Sequence, residues 1–226
     1  MTIKTGCSAS MVCLDTACKA LARGDCEAAI VGGTNLILSP ALSCALGAQG
    51  VNSADGRSRP FDASASGYGR AEAVSSLVIK RLGDALRDGN PIRSVIRSTL
   101  CNDDGRTLGI TQPSSEAHEA LIRATYAAAG ISESEYSQTA FFECHGTGVS
   151  RPLKFPNEFW LTAIGTPVGD PIEVNAVARI FGRDGMIIGS VNYSLPQHGS
   201  FELFELTKQR SNPMSVIQKQ QVAIPR

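Results

Sequence analysis

Neither sign of charge dominates this chain of 226 residues, since Lys and Arg number 21 and Asp and Glu also number 21. Without a basic excess, nothing recruits a polyphosphate backbone or an anionic bilayer, so neither nucleic acid nor membrane is expected as a partner. Long apolar runs are lacking too. No stretch reaches the roughly 20 residues of a membrane span, and no apolar leader opens the sequence. The seven cysteines are an odd number, and their spacings fit neither a zinc site nor a disulfide framework. A reducing, cytoplasmic setting is expected, with no metal and no bound cofactor. Cys13, Cys18, Cys26, Cys44, Cys101 and Cys144 read as small packing residues.

What is present is the composition of a globular enzyme piece, with 42% hydrophobic residues, 19% charged residues and 22 glycines. Met11, Leu14, Cys18 and Leu21 recur at helical spacing, and Gly24 offers a stop before the apolar strand Ala28 to Gly33. A loop-rich stretch from Ser39 to Arg70 follows, then a strand from Val74 to Ile79 and a short helix within Asp84 to Asp88. Gly89-Asn90-Pro91 punctuates the chain, and Ile92 to Leu100 reads as a strand.

Ser115 to Ala129 has a helical pattern, with Ala117, Leu121, Ala124 and Ala128 on one face and Gly130 past its end. His118 within it reads as a solvated or packing histidine. Thr139 to Cys144 reads as a buried strand that delivers His145 into a glycine-rich loop. Asp170-Pro171-Ile172-Glu173 reads as a capping box with proline at the first helical position, leading into Val174, Val177, Ile180 and Phe181. Met186 to Val191 is the next expected strand. Alternation of strands and helices predicts an α/β protein with parallel sheets covered by helices.

Two positions carry chemistry. Cys7, in Thr5-Gly6-Cys7-Ser8-Ala9-Ser10-Met11, stands where a helix begins, among unpaired N–H groups at the positive end of the helix dipole. That setting favours a thiolate and can stabilise an oxyanion. Taken alone, Cys7 reads more readily as a small core residue, and the other motifs reverse that reading. His145, in Glu143-Cys144-His145-Gly146-Thr147-Gly148, is the second position; its plain alternative is a loop histidine with a satisfied hydrogen bond.

These segments, in order with Val31-Gly32-Gly33-Thr34-Asn35, Asp55-Gly56-Arg57-Ser58, Phe61-Asp62-Ala63-Ser64, Gly67-Tyr68-Gly69-Arg70, Asn102-Asp103-Asp104-Gly105 and Thr166-Pro167-Val168-Gly169-Asp170-Pro171-Ile172-Glu173, resemble the ketosynthase (β-ketoacyl synthase) domain of fungal iterative reducing polyketide synthases. The resemblance runs from Thr2 to about Val191. It implies a thiolase-like fold of α-β-α-β-α layers, present here incompletely as the end of the N-terminal half and the start of the C-terminal half. Residues 1–90 would belong to the first half with the nucleophile helix, 91–191 to the second, and 192–226 to an unrelated, disordered tail. Strands that precede Cys7 in the family are not in the sequence, so an exposed sheet edge is expected beside Ala28 to Gly33.

The resemblance also implies the chemistry, a decarboxylative Claisen condensation of an acyl-Cys intermediate with a malonyl thioester on an acyl-carrier protein. Phosphopantetheine of the carrier is then the substrate handle, and family members are homodimers. Cys7 would be the acyl nucleophile, and His145 would serve malonyl decarboxylation and oxyanion stabilisation. Glu173 would give structural support, normally paired with a lysine. A fatty-acid synthase ketosynthase and a non-catalytic interaction protein are the alternatives.

The sequence departs from the family twice. Residues 149–165 interrupt the run between His145-Gly146-Thr147-Gly148 and Thr166-Pro167. They can be encoded by bases with a splice donor near Val149 and a branch point and acceptor within Leu161 to Gly165, which suggests retained intron sequence; a surface loop with aromatic contacts is the other reading. After Val191, Asn192 stands where the family has lysine. His198 follows Gln197 instead of the glycine that precedes the second catalytic histidine, so its candidacy for that role is weak. The chain is therefore expected to be a fragment inactive in condensation.

Overall fold

The computed structural model describes residues 1–62, 64–107, 112–147, 169–182, 187–189 and 220–224. The chain divides into two compact units, one made of Met1–Asn35, Ala73–Cys101 and Phe201–Arg226, the other of Leu36–Glu72 and Asn102–Ser200.

The first unit is built on the helix α1 (Ala9–Arg23) and the strand β1 (Ala28–Asn35). The expected stop is met, since Gly24 adopts φ 80° and its N–H bonds back to Ala20 and Leu21. A side-chain-bearing residue is disfavoured in that left-handed geometry. Leu14, Cys18 and Leu21 form the buried stripe of α1 and pack on Val31 of β1, Leu77 and Ile79 of β2 (Ala73–Arg81), and Ile96. β1 and β2 pair antiparallel with Val31 opposite Leu77. The helix α3 (Leu82–Arg87) follows directly, then β3, which is only Ser94–Val95. The strand expected over Ile92 to Leu100 is thus much shorter than its apolar pattern suggested.

A strand from the tail, β6 (Gln220–Ile224), completes this sheet. It lies between β2 and β3 and runs parallel to both, giving the order β1-β2-β6-β3. The disorder expected for 192–226 does not hold for these five residues. Gln-Gln-Val-Ala-Ile is an extended-compatible run, and Pro225, which cannot donate to a ladder, follows it. The sheet is mixed where a parallel one was expected, because β1 and β2 form an antiparallel pair.

Polar groups fasten α1 at several points. Asp15, 6% exposed, accepts from Lys19 Nζ at 2.7 Å and from Thr99 Oγ1 at 2.9 Å. At the other end of the helix, the Arg81 guanidinium donates to the carbonyls of Leu21 (3.1 Å) and Cys26 (2.8 Å) and to Asp84 (2.6 Å). A cation there sits at the negative end of the helix dipole, adds a second donor to the Leu21 carbonyl beside the Gly24 N–H, and ties the helix end to the loop at Cys26.

In the second unit, α2 (Ala41–Ala48) occupies part of the stretch expected to be loop. Its short apolar run has no buried residue and little polar contrast, so no periodic signal announced it. From Val51 to Arg70 the chain folds back on itself. A Cβ on Gly69 would lie 2.1 Å from the Gly56 carbonyl oxygen, and one on Gly67 2.5 Å from that of Val51. Only glycine permits these approaches.

The helix α4 (Ser115–Ala128) begins with the Ser114 hydroxyl accepting from the Ala117 N–H at 3.1 Å, an ordinary N-cap. The expected alanine face does not face inward, since Ala124 and Ala128 are exposed. Tyr126 carries the packing instead, with ring centres 4.9 Å from Tyr136 and 5.5 Å from Phe181 of α5 (Asp170–Phe181). β4 (Phe141–Glu143) and β5 (Ile187–Gly189) pair in parallel as a second, two-stranded sheet. Among the described residues no helix is long and apolar enough to cross a membrane.

Candidate functional site

Cys7 occupies a short 3-10 turn, Gly6–Ser8, that leads directly into α1, and it is exposed. Gly6 holds φ 71° with open space around its absent side chain. The Ser8 hydroxyl turns back to donate to Thr5, at 3.1 Å to its carbonyl and 3.0 Å to its hydroxyl, and does not cap α1. The thiol therefore stands at the N-terminal end of a helix whose other end is fixed by Arg81 and whose inner face is fixed by the core.

His145 lies in the second unit, on the exposed turn after β4. The Glu173 carboxylate holds that turn by its backbone. His145 N–H donates to Oε1 at 2.6 Å and Gly146 N–H to Oε2 at 3.1 Å. One carboxylate thus grips two consecutive amides, with Gly146 buried at φ 54°. Charge-assisted bonds of this kind are about twice as strong as neutral ones. The expected lysine partner would stand at 192, outside the described residues, but the carboxylate already has two donors.

This geometry corrects the capping-box reading of Asp170 to Glu173. The N-cap of α5 is Gly169, with no side-chain cap, and both carboxylates of the first turn point to distant amides. Asp170, 2% exposed, accepts from the Phe61 N–H at 2.8 Å. Phe61 is the one non-glycine described residue with positive φ, at 59°. Asp170 therefore pins a backbone conformation that phenylalanine adopts only at a cost, of order 1–3 kcal/mol. The first turn of α5 ties together the 51–70 loop and the His145 turn, a function invisible in local sequence.

The remaining cysteines divide. Cys18 and Cys144 are buried and Cys13 and Cys26 pack against the core, as expected, whereas Cys44 and Cys101 are exposed. Burial pushes the Cys144 thiol far above its ordinary range, with Glu173, Glu143 and Asp170 adding to the rise, so this neighbour of His145 stays protonated. Among the described residues no three His, Cys, Asp or Glu side chains are grouped to hold a metal. His198 and residues 149–165 lie outside the described residues.

Helices packed on sheets make this an α/β protein, and its likeness to solved ketosynthases makes the fold thiolase-like. Solved structures share this fold. A ketosynthase from module 6 of the bacillaene synthase of Bacillus subtilis is 33% identical at a TM-score of 0.73, covering 84% of this chain and 31% of its own. The oxazolomycin ketosynthase domain OzmH KS7 of Streptomyces albus is 32% identical at 0.72, covering 85% and 32%. The family model of the β-ketoacyl synthase N-terminal domain matches residues 1–85, and that of the C-terminal domain matches 161–195. Among curated relatives, the highly reducing polyketide synthase sphB of Aspergillus fumigatus is 51% identical over 195 residues, 86% of this chain and 7% of that protein. VdtX of Byssochlamys spectabilis, also a highly reducing polyketide synthase, is 53% identical over 191 residues, 84% and 8%.

The chain belongs to the β-ketoacyl synthase family, as a ketosynthase fragment of the kind found in fungal highly reducing polyketide synthases. It spans about 7% of the length of the curated relatives it matches.

Proposed function

We propose that this chain is the part of a polyketide-forming ketosynthase that carries the acyl nucleophile and the first catalytic histidine. Cys7 attacks the carbonyl of an acyl thioester on the phosphopantetheine of a carrier protein. The new C–S bond forms as the pantetheine thiol leaves, and the acyl group stays on Cys7. In a complete ketosynthase His145 would then hold the carbonyl oxygen of a malonyl thioester as carbon dioxide departs, stabilising the enolate charge. There the enolate carbon would attack the acyl carbonyl, forming a carbon–carbon bond as Cys7 leaves as thiolate.

The observation that carries this reading is the Glu173 grip on the amides of His145 and Gly146, because it fixes the backbone of the histidine turn through two consecutive N–H groups. Residues 1–90 and 91–191 are read as contributions to the two family halves. The expected partners are an acyl-carrier protein and a second copy of the domain, and the expected setting is the cytoplasm. With Asn192 and Gln197-His198 in place of the family's lysine and glycine-histidine pattern, the sequence as it stands supports acylation of Cys7 and not the full condensation.

Acylation is tested with a short acyl thioester of N-acetylcysteamine, followed by peptide mass spectrometry. A single acyl mass on the peptide containing Cys7, absent from Cys7→Ala, is the expected result. Equal labelling of the exposed Cys44 and Cys101 would reduce Cys7 to an ordinary surface thiol. Sequencing the transcript decides the second point, since removal of 149–165 and a continued frame past Val191 would place the second histidine in the mature protein.

A further inference from the structure

A serine at the start of a helix ordinarily turns its hydroxyl forward, to accept from an amide two or three residues on. Ser8, the residue before α1, does the opposite. Its hydroxyl reaches back and donates to the Thr5 carbonyl at 3.1 Å and to the Thr5 hydroxyl at 3.0 Å. α1 is left with no side-chain cap and no acidic residue in its first turn, and the same holds for the 3-10 turn Gly6–Ser8. The side chain placed to cover the first amides of α1 is committed instead to closing a ring of chain around Gly6 and Cys7.

That ring encloses a segment which packing does not hold. Thr5, Gly6, Cys7 and Ser8 are all exposed, so the burial that fixes α1 from Leu14 onward does not reach the thiol. Gly6 stands at φ 71° with nothing within 4 Å of the place its Cβ would take. Glycine is free to adopt many other conformations and loses more freedom on ordering than any other residue. Across this turn the Ser8 hydroxyl bonds stand beside the bond from the Ala9 N–H to the Gly6 carbonyl. The field of a helix end falls off within its first turn, so a thiol that drifts out of the turn loses it.

We propose that Ser8 is a positioning residue for Cys7, its hydroxyl bracing the turn from Thr5 to Ser8 so that the thiol stays at the positive end of α1. Without the brace Gly6 relaxes, and the fraction of molecules with Cys7 in place falls. The role rests on the reading of Cys7 as the acyl nucleophile, and it separates two quantities. A serine that capped α1 would carry stability and leave the rate at the thiol alone. A serine that braces the turn carries the rate and leaves the stability of the unit alone, because residues 5–8 lie outside the buried core.

The unaltered chain, Ser8→Ala and Ser8→Thr test this. Alkylation of Cys7 by iodoacetamide at pH 7 is timed by peptide mass spectrometry, with the exposed Cys44 in the same sample as reference. Acylation by the N-acetylcysteamine thioester is timed in parallel, and urea titration reads the stability of α1. Ser8→Ala is expected to slow both reactions at Cys7 about fivefold, the weight of one intramolecular hydrogen bond, at an unchanged urea midpoint. Ser8→Thr keeps the hydroxyl and is expected to react within about twofold of the unaltered chain. Alkylation of Cys7 in Ser8→Ala at the unaltered rate, or Ser8→Thr as slow as Ser8→Ala, would overturn the proposal. A loss of rate matched by a loss of urea midpoint would return Ser8 to ordinary helix capping and overturn it too. If the thioester leaves Cys7 of the unaltered chain unlabelled, the acyl-nucleophile reading falls, while the iodoacetamide rates still decide the brace.

Discussion

At the scale of single residues, a carboxylate that reads as helix capping holds another part of the chain. Glu173 meets two amides 28 and 27 positions away, and Asp170 meets one 109 positions away. Local spacing carries no trace of such partners, which is why Asp-Pro-Ile-Glu looks like a capping box even though α5 has no side-chain cap. The sequence singles out Cys7, His145 and Glu173 by their chemistry and their place in motifs, but it carries no sign of what the Glu173 carboxylate holds, both of whose oxygens are committed to backbone donors. Glu173→Gln keeps the shape and one acceptor oxygen but presents N–H groups to one of the two amides. The substitution is expected to leave one amide unsatisfied at about 1–3 kcal/mol, which speeds exchange of the His145 and Gly146 amides by tenfold or more. Exchange rates equal to those of the unaltered chain would mean that the turn is held by something else.

Among the elements, legibility follows contrast between buried and exposed faces. α1 was readable because Leu14, Cys18 and Leu21 recur on one side, and the structure buries all three. β1 and β2 were readable as short apolar runs, within which the structure buries Val31, Leu77 and Ile79 between more exposed neighbours. α2 has no buried face and gave no signal, whereas Ile92 to Leu100 gave a strand signal and delivered two paired residues. β6 is the extreme case, since its place between β2 and β3 depends on a gap that local pattern does not reveal. α1 is also the element on which the nucleophile depends. Leu21 is fully buried at its C-terminal end, beneath the Arg81 bonds. Leu21→Ala is expected to lower the stability of the first unit by about 2–5 kcal/mol through lost burial and a cavity. Urea titration followed at α1 and at α4 separates the two units. A loss seen equally at α4 would mean that the units unfold as one.

For the whole molecule, the open side of the first sheet sets behaviour in solution. β1 is the outer strand, with β2 on one side only among the described residues. The face of β1 and β2 turned away from α1 carries Ile30 at 78% exposure and Val74 at 56%, and Ile30 stands opposite Val78 in the ladder. An edge strand with unpaired backbone groups and an apolar face is a template for pairing with another chain. Charge does little to oppose that pairing, because the chain has no net charge at pH 7 and a sequence pI near 6.8. Self-association is therefore expected to be strongest near neutral pH and to weaken on either side. Ile30→Lys places a charge on the edge without touching the α1 core, since Ile30 is not part of that cluster. The variant is expected to stay dispersed at concentrations where the unaltered chain forms larger species in sedimentation velocity, with unchanged urea midpoints. If both proteins associate equally, the contact lies elsewhere on the surface, and the edge of β1 is already protected by its twist or its neighbours.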